Sequence, residues 1–528
     1  MNRKVVSLGN YFKLPNPGLK TYLLKTKRGN DEEYRTPFFK GKSLSDVLKG
    51  WEVHLAPLKE KWPGLHQFEL DLAEKVGPMS IQKPLEERFT DIEAYYKGIL
   101  LPSEPISDEA IRSVITEWNR ARGLSVRSTS KTWDNMKKST SSGSPFFTKR
   151  KLIGKYIMDS QPYFDKRTQE VHDKMYPHWD PIAVLGWRGQ EGGPEPEDVK
   201  QRVVWMFPAS VNLQELRVYQ PLIETAQRFN LVPAWVSMDS VDEHITRMFD
   251  TKGADDVVIC TDFSKFDQHF NADMARGASE ILDGIFNGGR DFIQWMWDIY
   301  HIKYTIPLLD SENHAWFGRH GMGSGSGGTN ADETLAHRAL QYEAALSQNQ
   351  TLNPYSQCLG DDGVLTYPGI KVDDVMRSYT AHGQEMNESK QYVSKHECIY
   401  LRRWHHKDYR VADVCVGVYA TTRALGRLCE QERYFDPEVW SKEMVALRQL
   451  SILENVKYHP LKEEFVNYCM KGDKYRLGLD LPGFLENIDG LAKQATDLMP
   501  DFLGYVKSQQ KDTGMSDWWI VKYLKSLK

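Results

Sequence analysis

The sequence predicts a mixed α/β fold built from several subdomains, and three observations carry that reading. The chain has 528 residues, well beyond the roughly 250 to 300 at which a single hydrophobic core stops growing. Its middle alternates a buried-strand pattern, Val257-Val258-Ile259-Cys260, with a helical one from Ala272 to Phe286. Beyond residue 430 the pattern turns helical: Asp436 is placed to cap, Pro437 suits the first helical position, and Trp440, Met444 and Leu447 recur at helical spacing. Hydrophobic residues make up 40% of the chain and charged residues 27%, a balance that excludes wholesale disorder. No internal repeat or low-complexity tract marks a linker.

Net charge is only -4, so any phosphate-binding surface has to be local. One stretch is biased: Lys131, Lys137, Lys138, Lys149, Arg150 and Lys151 face the single acid Asp134. Six cysteines form no C-x-x-C pair and no cluster with histidine at zinc spacing, which predicts a reduced, intracellular protein. The residues after Met1 lack the apolar stretch of a signal peptide, and nowhere do about 18 apolar residues run together, so no membrane span is expected.

The chemistry is carried by acidic residues on rigid mounts. A strand ending at Cys260 leads into Thr261-Asp262-Phe263-Ser264-Lys265-Phe266-Asp267, placing one carboxylate at a strand end and a second five residues on. Further along, Cys358-Leu359-Gly360-Asp361-Asp362-Gly363-Val364-Leu365 reads as a tight hairpin between two apolar runs. A turn needs one Asp; the doubled carboxylate points to a second use, an oxygen cage with Asp262 for divalent ions. Between them, Gly321 to Asn330 is a Gly/Ser loop, read as flexible, that feeds a helix over Ala331 to Ser347, with Leu335, Ala339, Leu340 and Ala344 on one face. Gly323 to Gly328 satisfies G-x-G-x-x-G, but a dinucleotide site calls for a strand directly before it, and Glu343 falls within the helix. A Walker loop is excluded because no Gly-Lys-Ser/Thr ends the glycines.

In this order the strand aspartate, the Gly/Ser loop with its helix and the Gly-Asp-Asp hairpin resemble motifs A, B and C of viral RNA-dependent RNA polymerases. Thr140 to Pro145 is similar to motif G, Lys200 to Val204 with Phe207-Pro208 to motif F, Asn387 to Lys390 to motif D, and Tyr400 to Trp404 to the motif E hairpin. The motif B wording, Ser-Gly-Ser-Gly-Gly-Thr-Asn-Ala-Asp, is most similar to the picobirnavirus enzymes of double-stranded RNA viruses. The resemblance implies a closed right hand: an N-terminal extension over 1–80, fingers over 81–245 with part of 270–310, an antiparallel-sheet palm over 246–404, a helical thumb over 405–510 and a tail over 511–528.

The resemblance also implies roles. Asp262, Asp361 and Asp362 would hold two Mg²⁺ or Mn²⁺ ions, and Lys390, with Lys395 as a fallback, would protonate the leaving pyrophosphate. Asp267, Ser324, Thr329 and Asn330 would read the ribose of the incoming NTP, with Glu333 standing where many relatives carry Asn or Asp. Lys200 and Arg202, joined by Arg188, would neutralise the triphosphate despite nearby Glu191, Glu195, Glu197 and Asp198. Template RNA would track over Ser142, Gly143, Ser144, Pro145, Lys149 and Arg150. Implied partners are RNA template and product, NTPs and viral capsid protein, in the virion interior and the host cytoplasm. The C-terminal segment reads as an amphipathic helix capped by Ser516 or Asp517, with Ile520, Tyr523, Leu524 and Leu527 on one side; it would either gate RNA or pack on the thumb. Two rival readings are a reverse transcriptase and a non-catalytic RNA-binding capsid or nucleoprotein; the Gly before the aspartates argues against the first, the lack of a basic arm against the second.

Overall fold

A computed structural model describes residues 2–498 and 514–528. These form two compact units: Met1–Gly29, Lys83–Trp187 and Val203–Tyr400 in the first, and Asn30–Gln82, Arg188–Arg202 and Leu401–Lys528 in the second. The opening 80 residues therefore do not stay together, since 1–29 belong to one unit and 30–82 to the other.

The first unit holds two principal sheets. In one, the strands are ordered Arg3–Val5, His314–Trp316, Leu308–Ser311, Ala183–Gln190 and Lys200–Met206, of which residues 183–187 and 203–206 of the last two belong to this unit. Its centre is apolar on both faces, Ala183, Val184, Leu185, Leu308 and Leu309 all being buried, as expected of strands covered on two sides. The second sheet is wholly antiparallel, in the order Gln357–Leu359, Asp362–Leu365, Val258–Thr261, Tyr392–Ser394. All four residues of Val258–Thr261 are buried, which is why this strand reads as a continuous apolar run instead of an alternating one. Three helices pack with one another beside this sheet: Asp108–Glu117, Ala272–Ile285 and Thr329–Leu346.

Thr329–Leu346 is the hub. Its expected apolar face is buried, but so are Asp332, Glu333, Thr334, His337, Arg338 and Gln341. A helix buried on most sides must find partners for its polar groups, and the partners come from far along the chain: Arg338 binds Glu117, the backbone carbonyl of Ser356 and Gln341.

The second unit is mainly helical, as the pattern beyond residue 430 indicates. Its first helix there starts later than expected: Ser441, not Asp436, is the cap, accepting from the Met444 backbone N–H ahead of Lys442–Leu453. Asp436 instead closes a single turn with Trp440. The terminal helix Trp519–Ser526 has no cap from Ser516 or Asp517; the Glu454 carboxylate accepts from the Trp519 and Ile520 backbone N–H groups at 3.2 and 2.9 Å. Ile520, Val521 and Leu524 are buried while Leu527 is exposed, so within this unit the helix packs inward; residues 511–513 of the tail lie outside the described part. Leu401 and Arg402, both at positive φ, form the turn between Glu397–Tyr400 and Arg403–His406. All six cysteines are buried, and none of them forms a disulfide.

A buried acid sits in this unit's core. Glu69 accepts from the Thr421 hydroxyl, Thr421 in turn accepts from the Trp51 indole at 2.8 Å, and His459 Nε2 lies 3.9 Å from Glu69 Oε1. Burial pushes the Glu69 carboxyl up to about 8 and the His459 imidazole down to about 3. Over that interval Glu69 is protonated when folded and ionised when unfolded. Its contribution to stability is therefore whole below its ordinary pKa of 4.5 and is lost as pH rises towards 8. Glu69→Gln keeps a neutral side chain and is expected to flatten the fall in unfolding free energy between about pH 5 and 8 by about 2 to 4 kcal/mol. Urea unfolding across that range checks it; curves that stay parallel to the native protein would sink the idea.

Candidate active site

Asp262 directly follows the central strand Val258–Thr261. Its backbone is gripped at both ends by one side chain: its N–H donates to Gln391 Oε1 and its carbonyl accepts from Gln391 Nε2, both at 2.8 Å. The neighbouring strand pairs Gly363 with Thr261, and continuing that register by one residue sets Asp362 opposite Asp262, at about 5 Å between backbones. Leu359 pairs with Asp362, so Gly360-Asp361 is the two-residue turn. The tip is Gly-Asp, not the Asp-Gly pair that the sequence suggests.

Gly360 adopts a φ of +57°, a left-handed conformation that favours glycine. Its N–H donates to Thr334 Oγ1 at 2.9 Å and its carbonyl lies 2.9 Å from His337 Nδ1. Burial lowers the His337 pKa to about 4, so the neutral ring donates through Nδ1. One turn of the hub helix thus holds both ends of the Gly360 residue and presents the exposed Asp361. Gly363 is glycine for another reason: a Cβ there would stand 2.6 Å from the His337 ring.

Beside this hairpin the carboxyl groups crowd. Glu333 is buried, and burial first, then the nearby Asp267 and Asp361 charges, raise its pKa well above the ordinary value; it shares a hydrogen bond with Asp267. The neutral acid is the donor in that bond. Glu333 Oε1 has no hydrogen-bond partner among the described residues. The Asn330 carbonyl oxygen accepts from the Trp235 indole at 2.8 Å, which turns its amide nitrogen outward on an exposed residue. Among the described residues no three His, Cys, Asp or Glu side chains are gathered tightly enough to hold a metal alone. Mg²⁺ is commonly held by one or two carboxylates with water and substrate phosphates completing the shell, and Asp262, Asp361 and Asp362 are carboxylates of that hard, acidic kind.

The Gly/Ser loop is not loose. Glu215 accepts from the Ser326 hydroxyl, from the Gly327 N–H at 3.0 Å and from Asn212 at 3.2 Å. The Thr329 hydroxyl donates to the Gly323 carbonyl at 2.9 Å, and Ser324 accepts from the Trp205 N–H at 3.2 Å. A Cβ on Gly325 would stand 1.6 Å from the Trp205 carbonyl oxygen; the glycine permits close approach. Thr329 and Ser324 therefore use these groups in holding the loop, leaving Asn330 and Asp267 as the polar groups less committed to it.

Ser142, Gly143, Ser144 and Pro145 are buried. Ser142 Oγ accepts from the Thr148 N–H and Ser144 Oγ donates to the Ile182 carbonyl, so these side chains build the segment instead of offering themselves to RNA. Arg150 is likewise occupied, donating to the carbonyls of Ser141 and Lys137 and to Asn212. Lys149 and Lys151 stay exposed, as does Lys390, while Lys395 lies 3.6 Å from Asp255.

The second unit carries a separate basic set. Burial, then Lys75, Arg202 and Arg402, depress the Lys200 ammonium; burial and then Arg423 bring Arg402 down to about 10. Glu191 is taken up by Arg423 at 3.2 Å and Arg427 at 4.0 Å. Asp198 accepts from the Glu195 N–H, and Glu197 stays exposed beside it. Arg188 pairs with Glu432 at 3.2 Å.

Residues 104–413 match the family of viral RNA-dependent RNA polymerases. The chain belongs to this family. It is 57% identical over 98% of both chains to the "Potential RNA-dependent RNA polymerase" of Human picobirnavirus (strain Human/Thailand/Hy005102/-). It is 26% identical over half its length to the "RNA-directed RNA polymerase" of Cryptosporidium parvum virus 1 (strain KSU-1). Two crystal structures of a human picobirnavirus RNA-dependent RNA polymerase, one an insertion-loop deletion mutant, superpose with TM-scores of 0.94 and 0.93. Each covers 99% of this chain and 100% of the other, at 54% and 53% identity. The polymerase is thus an RNA-dependent RNA polymerase similar to those of picobirnaviruses, and the reverse transcriptase and capsid readings fall away. Among its described residues no helix is long and apolar enough to cross a membrane.

Proposed function

We propose that this polymerase transcribes and replicates a double-stranded RNA genome by template-directed nucleotidyl transfer with release of pyrophosphate. The observation that carries the reading is the Gly360 clamp, which fixes Asp361 at a hairpin tip one strand away from Asp262. Asp262 and Asp361, with Asp362 assisting, would hold two Mg²⁺ or Mn²⁺ ions. When bound, such ions lower the cost of deprotonating the primer 3'-hydroxyl and of developing charge on the pyrophosphate.

The chain's own groups do the rest. Asp267 accepts from the ribose hydroxyl, and the outward amide of Asn330 donates to it. Glu333 acts through Asp267. Lys390 Nζ is placed on the segment that Gln391 ties to Asp262, and would pass a proton to the leaving pyrophosphate. Lys200 and Arg202 meet the triphosphate; Arg188, paired with Glu432, is given up from that set. Lys149 and Lys151 meet template phosphates without sequence preference. RNA template and product and NTPs are then the partners, and association with capsid protein, in the virion interior and the host cytoplasm, completes the proposal.

Sugar choice tests the site. A group built to hydrogen-bond a hydroxyl rejects substrates that lack it, because its own polar atoms are left unpaired. Asp267→Ala is expected to narrow the preference for NTP over dNTP in kcat/KM by roughly a hundredfold, measured on an RNA template. An unchanged ratio would remove Asp267 from the ribose site.

A further inference from the structure

Arg150 is held beside the buried segment Ser142 to Pro145, and one of its contacts leads away from it. Its guanidinium donates through Nε to the Ser141 carbonyl and through Nη1 to the Lys137 carbonyl, each at 3.3 Å, while Nη2 donates to Asn212 Oδ1 at 3.1 Å. Asn212 lies on the helix Ala209–Arg228, three residues before Glu215 and on the same face. It is only 6% exposed, and its amide nitrogen donates to the Gly325 carbonyl at 3.0 Å and to Glu215 Oε1 at 3.2 Å. A guanidinium can only donate and a backbone carbonyl can only accept, so the Asn212 carboxamide stands one way round.

One side chain thus joins the stretch 137–150 to the Gly/Ser loop. The loop continues the chain of contacts: Glu215 accepts from the Ser326 hydroxyl and the Gly327 N–H, directly after the Gly325 carbonyl that Asn212 holds. The Thr329 hydroxyl then ties the first residue of the hub helix back to the Gly323 carbonyl at 2.9 Å. Asn330 follows, its amide oxygen fixed by the Trp235 indole. A displacement of the loop is therefore passed to Asn330. At the other end, Lys149 is exposed and adjoins Arg150 in the chain.

We propose that Asn212 is a positioning residue for nucleotide binding: it carries the placement of the template-side stretch through the Gly325 carbonyl and Glu215 to Asn330, and Arg150 acts through it. Asn330 enters here as the ribose-side group proposed above, and Lys149 as the template contact, on which the inference rests. Neither Arg150 nor Asn212 touches RNA or NTP in this scheme. Losing the relay leaves the metal carboxylates where they are, so it costs nucleotide affinity and spares the chemical step. Such a loss raises KM and leaves kcat nearly unchanged.

Hydrogen exchange in the full chain tests the relay without catalysis. Arg150→Met removes the donors from a side chain that hydrogen-bonds no residue of the loop itself. It is expected to speed exchange over residues 323–328 at least about fivefold, whereas a purely local role would loosen only 137–150. Asn212→Leu should do the same, and the double variant should add little to either, as members of one network do. In incorporation assays each variant should raise KM for the incoming NTP about tenfold with kcat within about threefold of the native chain. Affinity for a single-stranded oligouridylate should change by less than about threefold, because no phosphate contact is lost. Arg150→Met, at a half-buried position, keeps the test open if Asn212→Leu does not fold. Loop exchange unchanged in Arg150→Met, full additivity in the double variant, or a fall in kcat with KM unmoved would each overturn the proposal. A native chain that makes no RNA would count against the polymerase reading instead, and exchange would still decide the relay.

Discussion

Asp262→Asn is expected to lower RNA synthesis at least a thousandfold while leaving the thermal midpoint nearly unchanged. The carboxylate is exposed at the end of a buried strand, and its backbone, not its side chain, is what Gln391 holds. Asparagine therefore keeps the fold and removes the charge. About a thousandfold corresponds to about 4 kcal/mol of transition-state stabilisation, the size expected when charge neutralisation at a transferring phosphoryl group is lost. Steady-state incorporation beside a melting curve checks it; a loss below about tenfold in a folded variant would remove Asp262 from the metal set.

Asp332→Ala is expected to destabilise the first unit by about 3 to 5 kcal/mol, the usual result of leaving a buried charge without its partner. Asp332 and Lys303 are both fully buried and stand 3.0 Å apart. The Asp332 carboxylate also accepts from the Tyr219 and Tyr304 hydroxyls at 2.6 and 2.7 Å, and Lys303 donates to Tyr219 at 3.0 Å. Removing the carboxylate strands an ammonium and two phenols in the core. Replacing the pair together, Asp332→Leu with Lys303→Met, should recover much of the loss because no charge is then left buried. Denaturant unfolding of the single and double variants decides it: a single variant within about 1 kcal/mol of the native chain would contradict the argument.

What was legible in the sequence was local. The strand before Asp262, a hairpin somewhere within Gly360 to Gly363 and the helix after the glycine loop each declare themselves within about ten residues, through an apolar run, a turn signal or a helical period. What stayed hidden depends on residues far apart: Gln391 gripping Asp262 across 129 positions, Glu215 holding the glycine loop across 111, and Lys303 meeting Asp332 in the core. Glu215 and Gln391 carry no pattern of their own, and no local signal could have found them. The loop's glycines were read as flexibility, whereas Gly325 and Gly363 are forced by close contact. Polarity misled at Ser142 and Ser144, where hydroxyls that suggest a surface satisfy buried backbone. Caps failed for a related reason: the terminal helix borrows Glu454 from another helix's end instead of using its own Ser516. The basic set in the second unit comes from Lys75, Lys200, Arg202, Arg402, Arg423 and Arg427, too scattered to appear as a charge run.

The most direct test of the account is incorporation of labelled ribonucleotides on a single-stranded RNA template with Mg²⁺ or Mn²⁺, by the intact chain and by an Asp361→Ala, Asp362→Ala double variant. Template-length RNA from the intact chain and none from the folded double variant is the predicted result. Polymer from the double variant, or no polymer from the intact chain with any template and either metal, would contradict it.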